Sequence, residues 1–178
     1  MLTIGDKFPS YNLTGVTSNE MSGFKPFTNE TNEGKWKVYF FWPKDFTFIC
    51  PTEIEAFGEL TPEFEAANAV VYGLSTDSEF VHLAWRKDHP GLNSLPFPML
   101  SDIKRELSWE LGVLHRDEGV CLRATYIVDP EGVIRHVSVN DLSVGRNPEE
   151  TLRILKGLQD GGLMPCNWHP GQQAINVA

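Results

Sequence analysis

Two short runs constrain the fold of this chain more than anything else in it: Lys37-Val38-Tyr39-Phe40-Phe41-Trp42 and Ala69-Val70-Val71-Tyr72-Gly73-Leu74-Ser75. Both are nearly continuous in apolar residues, as strands covered on both faces tend to be. Between them, Glu53 to Glu65 sets Ile54, Phe57, Leu60 and Phe64 at helical spacing. A third run, Ala124-Thr125-Tyr126-Ile127-Val128, meets the turn Asp129-Pro130-Glu131-Gly132 and an alternating stretch from Val133 to Val139, which predicts a hairpin. Further helices are predicted at three places. One runs from the cap Ser78 to Asp88 with Phe80, Val81, Leu83, Ala84 and Trp85 inward, and one from Ser101-Asp102 to Gly112. The last opens at Asn147-Pro148-Glu149-Glu150, buries Leu152, Ile154, Leu155 and Leu158, and stops at Gly161-Gly162. The order strand, helix, strand, helix, helix, hairpin, helix predicts an α/β class: a thioredoxin-like fold with a central mixed β-sheet flanked by helices.

A chain of 178 residues fits one domain. Residues 1–162 are read as that domain, with an N-terminal extension, and 163–178 as a C-terminal tail. The tail holds Pro165, Pro170 and Gly171 without periodicity and is expected to lie on a surface, its own or a partner's. The formal net charge is -9 and no Lys/Arg cluster stands out, so nucleic acid is not an expected partner. No apolar run reaches the roughly 20 residues a bilayer crossing needs, and Met1 to Asp6 does not read as a signal peptide, so the expected location is the reducing cytoplasm. Three cysteines, Cys50, Cys121 and Cys166, are too few and too unevenly spaced for a structural disulfide framework.

Cys50 sits where chemistry is favoured. The stretch Trp42-Pro43-Lys44-Asp45-Phe46-Thr47-Phe48-Ile49-Cys50-Pro51-Thr52-Glu53 joins a buried strand to an amphipathic helix, at the rim of the sheet. Free N–H groups and the helix dipole favour an anion at such an end. Cysteines in these settings have pKa values of about 3.5–7.5, and the thiolate is the nucleophile. Thr47, one helical turn before Cys50, can place its hydroxyl on the side of the sulfur, or it can serve as an ordinary N-cap. Pro43 can wall a pocket or simply start a loop.

Pro43-x-x-x-Thr47-x-x-Cys50 resembles the active-site motif of the peroxiredoxins, and Phe46-Thr47-Phe48-Ile49-Cys50-Pro51-Thr52-Glu53 resembles their typical two-cysteine subgroup. Gly5-Asp6-Lys7-Phe8-Pro9, Leu74-Ser75-Thr76-Asp77-Ser78 with Trp85, Pro96 to Asp102, Arg123 to Pro130 and Gly145-Arg146-Asn147 extend the likeness over nearly the whole chain. The resemblance implies a thiol peroxidase that reduces hydrogen peroxide and organic hydroperoxides, with Cys50 as peroxidatic cysteine and no bound cofactor or metal. It makes Thr47 and Pro43 pocket partners, Arg123 the arginine that holds thiolate and peroxide, and Glu53 and Arg146 the residues that orient that arginine. A guanidinium there also stabilises charge on a departing alkoxide. Read alone, Arg123 is a charge at the end of a strand.

The same resemblance makes Cys166, in Cys166-Asn167-Trp168, a resolving cysteine supplied by the partner subunit of a homodimer, with dimers assembling into rings. It condenses with the Cys50 sulfenic acid before over-oxidation, and the helical turn at Cys50 is expected to unravel for the sulfurs to meet. A dithiol protein, such as a flavoprotein reductase or a thioredoxin, would then reduce the disulfide. Cys166 with His169 is half a metal site without a second half. Cys121 lies outside the family pattern; strand alternation would put it on the side of Arg123, and a buried thiol without a role is the plainer reading. A general thiol-disulfide oxidoreductase is disfavoured because Glu53 stands where Cys-x-x-Cys needs its second cysteine. A holdase built from a ring of subunits is a further reading, and replacing Cys50 separates it from a peroxidase.

Overall fold

The computed structural model describes residues 1–176. Its strands are β1 (Asn12–Val16), β2 (Phe24–Thr28), β3 (Trp36–Phe41), β4 (Ala69–Ser75), β5 (Met99–Ser101), β6 (Arg123–Val128) and β7 (Ile134–Asn140). Its helices are α1 (Cys50–Ala66), α2 (Glu79–Asp88), α3 (Glu106–Leu111) and α4 (Pro148–Asp160). The strands form one mixed sheet in the order β2-β1-β5-β4-β3-β6-β7. The two apolar runs are neighbours, β3 and β4, paired in parallel through α1, while β6 runs antiparallel to β3 and β7 antiparallel to β6. Because β3 and β4 are buried on both faces, their side chains divide between two cores. Val38, Phe40 and Val71 join Ile54, Phe57 and Phe64 of α1, Trp85 of α2 and Leu155 of α4 on one face. Tyr39, Phe41, Tyr72 and Leu74 join Phe8, Tyr11 and Leu107 and Leu111 of α3 on the other. This is the thioredoxin-like α/β arrangement that the sequence predicts. Among the described residues, no helix is long and apolar enough to cross a membrane.

Four local differences matter. The hairpin β1–β2 and the short β5 are additional to the predicted elements. Gly15 admits them to the sheet, since a Cβ there would lie 2.6 Å from both Leu100 and Phe27. Ser101-Asp102 does not start a helix. Ser101 ends β5, and the Asp102 carboxylate reaches forward to accept from the backbone and hydroxyl of Ser108, at 2.8 and 2.5 Å, so α3 begins only at Glu106. On α2 the inward face is rotated: Phe80 and Ala84 face solvent, while His82 and Arg86 are buried beside Leu83 and Trp85. Both polar residues are tolerated inside because both are bonded, Arg86 to the carbonyls of Leu95 and Phe97 and His82 as described below. The tail lies on its own subunit. Trp168, 4% exposed, packs over Gly157 of α4 and donates to the Gln172 carbonyl, and Leu163 bridges to Ile175.

Candidate active site

The loop from β3 to α1 crosses the end of the sheet where β3 has β4 on one side and β6 on the other, a place where α/β folds carry ligands. Two carboxylates fix its path. Asp45 accepts from the Trp42 indole at 2.7 Å, and its own N–H donates to Asp77 at 2.9 Å. Phe46 then takes a left-handed turn at φ 55°. Cys50 is the first residue of α1 and 1% exposed. Thr47 is not the N-cap of this helix. That position is Ile49, which makes no side-chain cap, and the Thr47 hydroxyl instead lies 3.0 Å from the Cys50 sulfur and 2.9 Å from the Lys44 carbonyl. One hydroxyl hydrogen serves two acceptors, so an anionic sulfur claims it from Lys44.

Arg123 enters from the first residue of β6. Its Nη1 donates to the Cys50 sulfur at 3.4 Å and to Glu53 at 2.7 Å, and its Nε donates to the Leu142 carbonyl at 2.7 Å. Glu53, one turn along α1 from Cys50, also receives the backbone N–H, Nε and Nη2 of Arg146, each at 2.9 Å. Arg146 completes its bonding at the Ala124 carbonyl, 2.8 Å away, and its guanidinium lies over the Phe40 ring. Burial alone would raise the Glu53 carboxyl; the bonds from Arg146 and the charge of Arg123 outweigh it and hold the carboxyl below its usual range. All three side chains are at most 5% exposed. Two guanidinium charges against one carboxylate leave this buried group one positive charge in excess. The Cys50 sulfur lies beside that excess, 3.4 Å from Arg123 Nη1. Above the sulfur lies a recess of about 270 Å³ lined by Pro43, Lys44, Thr47, Phe48, Ile49, Glu118, Arg123 and Leu142, with the Lys44–Glu118 ion pair at 2.8 Å on its rim.

The Cys50 thiol thus lies at the base of a small recess, held between a hydroxyl and a guanidinium. The AhpC/TSA family model matches residues 4–137. The chain belongs to the AhpC/TSA family. It is 52% identical to alkyl hydroperoxide reductase C of Mycolicibacterium smegmatis, over 99% of this chain and 95% of that one. With peroxiredoxin-2 of Bos taurus it shares 42% identity, covering 97% and 88% of the two chains. Among solved structures, Mycobacterium tuberculosis AhpC superposes with a TM-score of 0.87 at 52% identity, covering 95% of this chain and 99% of that one. The reduced 2-Cys peroxiredoxin of Plasmodium vivax gives a TM-score of 0.90 at 33% identity, covering 98% and 93%.

In this member of the AhpC/TSA family the other two cysteines lie apart from Cys50. Cys166 is exposed and lines a different recess, with Arg153, Ile154 and Gly157 of α4 and Trp168 of the tail, which shares no residue with the one above Cys50. Cys121 belongs to the opposite core, with its sulfur 3.2 Å from the Ser108 hydroxyl, and burial pushes its thiol up to about 12. The expectation that it shares a side with Arg123 fails for a local reason. The Ala124 N–H donates to the Leu122 carbonyl at 2.8 Å, a tight turn centred on Arg123 that breaks the strand alternation at the first residue of β6. Leu142, Lys44 and Glu118 of the recess were not singled out from sequence. Lys44 lies inside the motif stretch, but nothing local marks the other two.

Proposed function

We propose that the chain is a thiol-dependent peroxidase that reduces hydrogen peroxide and organic hydroperoxides to water and alcohols. The observation that carries this reading is the Cys50 sulfur at the base of the recess, 3.0 Å from Thr47 Oγ1 and 3.4 Å from Arg123 Nη1. The thiolate attacks the distal peroxide oxygen, the O–O bond breaks, and the electron pair leaves on the alkoxide, which is protonated to alcohol. Cys50 becomes a sulfenic acid. Arg123 is the donor aimed at the charge that develops on the peroxide oxygens, and Thr47 bonds to sulfur and peroxide in turn. Glu53 and Arg146 hold the Arg123 fork in place, and Pro43 with Leu142 limits water around the reacting oxygen. This fits the names of the relatives, alkyl hydroperoxide reductase C and peroxiredoxin.

The sulfenic acid then condenses with Cys166 of a second subunit, releasing water and forming a disulfide that a dithiol reductant protein, a flavoprotein reductase or a thioredoxin, returns to thiols. The separate recesses of Cys50 and Cys166 fit a resolving thiol supplied from another chain. Cys50 is buried in the first turn of α1, so this turn unwinds for the sulfurs to meet. Residues 1–162 act as the catalytic domain and 163–178 as the tail that delivers Cys166. The edge strand β7, half-buried along most of its length, is the surface for pairing two subunits, and dimers close into a ring in the cytoplasm. Non-reducing electrophoresis after one equivalent of hydrogen peroxide tests this. A covalent dimer is expected in wild type and Cys121→Ser and absent in Cys166→Ser; cross-linking that survives Cys166→Ser overturns the pairing.

A further inference from the structure

Behind the loop that shapes the recess lies a buried titratable pair to which the peroxidase reading gives no role. His82 of α2 is 0% exposed and Asp45 of the loop 7%. His82 Nδ1 is 2.6 Å from Asp45 Oδ2, and His82 Nε2 is 3.2 Å from the Leu100 carbonyl of β5. A carbonyl only accepts, and an ionised carboxylate only accepts, so both ring nitrogens face acceptors. A neutral imidazole has one N–H and leaves one nitrogen lone pair pointing at an oxygen lone pair. Only a doubly protonated ring satisfies both contacts beside an ionised Asp45. Burial raises the Asp45 pKa; the His82 ring and the Trp42 indole, which donates to Asp45 Oδ1 at 2.7 Å, oppose that rise and favour the ionised carboxylate.

We infer that the Asp45–His82 pair holds one structural proton that positions the Pro43–Thr47 loop against Cys50, and that loss of this proton loosens the loop and slows the reaction at alkaline pH. The inference rests on the peroxidase reading for its consequence, not for the proton itself. The groups facing the ring are accounted for. Asp45 comes from the loop, Asp77 from the turn after β4, the Leu100 carbonyl from β5 and the Trp42 indole from the end of β3. On α2 itself, Arg86 spends its guanidinium on the Val16, Leu95 and Phe97 carbonyls. Burial alone would strip the ring of its charge; the Asp45 carboxylate, with Asp77 and Leu100, outweighs burial and raises the His82 pKa. The charged ring therefore contributes fully below the ordinary histidine range, and the contribution is lost as pH rises through the raised value. His82 and Asp45 touch neither sulfur nor recess, so they are positioning residues.

The decisive substitution is Asp45→Asn. An amide there can accept from Trp42 on oxygen and donate from nitrogen to a neutral His82, whose remaining N–H serves Leu100. The network is then complete without the extra proton. Two measurements test the inference. In the reduced wild-type protein, the ¹⁵N shifts of the His82 ring at pH 7 should report two protonated nitrogens; one bare nitrogen would overturn the proposal. The rate constant of Cys50 oxidation by hydrogen peroxide should fall by about tenfold for each pH unit above the His82 transition in wild type if only the protonated pair positions the loop. Asp45→Asn should stay flat over that range, and His82→Leu should be slow at every pH. An alkaline fall that persists unchanged in Asp45→Asn overturns the proposal. The ring measurement needs neither variant nor turnover, so failure of this inference and failure of the peroxidase reading give different results.

Discussion

Cys50 and Cys121 are both buried, at 1% and 0% exposure, and both sulfurs lie beside a hydroxyl, Thr47 at 3.0 Å and Ser108 at 3.2 Å. Their difference lies in what stands behind the hydroxyl. Behind Thr47 is the Arg123 guanidinium, part of a group with one positive charge in excess. Behind Ser108 is the Asp102 carboxylate, bonded to the same hydroxyl at 2.5 Å. The first setting places a cation beside the sulfur; the second places a carboxylate behind the hydroxyl, which adds to burial in disfavouring an anionic Cys121 sulfur. Burial alone therefore says little about a thiol; the sign of the nearest buried charge says much more.

The sharpest way to break this contrast is to remove one sulfur at a time. Cys50→Ser should reduce peroxide consumption to that of a cysteine-free control, measured with a dithiol reductant in excess, whereas Cys121→Ala should keep the wild-type rate within about twofold because its sulfur touches no reacting atom. Next in size is the charge itself. Arg123→Leu should slow Cys50 oxidation by about 10²–10³-fold, the usual cost of losing one donor aimed at developing charge. A loss under about tenfold would mean that the remaining Arg146 and Thr47 suffice.

The Cys121 side has its own signature in pH. Above about pH 9 the unfolded chain releases this proton while the folded chain keeps it up to about 12. Unfolding is then favoured by about 1.4 kcal/mol for each pH unit in that window, and no pH dependence comes from this group at lower pH. Denaturant unfolding between pH 9 and pH 11 should show the wild-type slope steeper than that of Cys121→Ala by this amount. Equal slopes would mean that Cys121 ionises in the folded protein. The smallest expected effect is in labelling: native protein treated briefly with iodoacetamide should be modified at Cys166 first and at Cys121 only after unfolding.

The contrast was only partly legible in the sequence. Pro43, Thr47, Cys50 and Glu53 fall within eleven residues, and a strand running into an amphipathic helix places them by local rules alone. Arg123 and Arg146 lie 73 and 96 positions beyond Cys50, and only the family resemblance connected them to it. Where local rules failed, a tertiary bond had overruled them. Asp102 reaching to Ser108 delays α3, and the turn centred on Arg123 separates Cys121 from the site. The inward turn of His82 and Arg86 was hidden because hydrophobic periodicity assigns such residues to solvent until their bonding partners are known.

The central claim is that Cys50 alone carries the oxidised intermediate. Mass spectrometry of Cys166→Ser, after one equivalent of hydrogen peroxide in the presence of dimedone, tests it most directly, because the sulfenic acid can no longer be resolved. A single dimedone adduct on Cys50 is the predicted result. An adduct on Cys121, or none on Cys50 while peroxide is still consumed, would contradict the account.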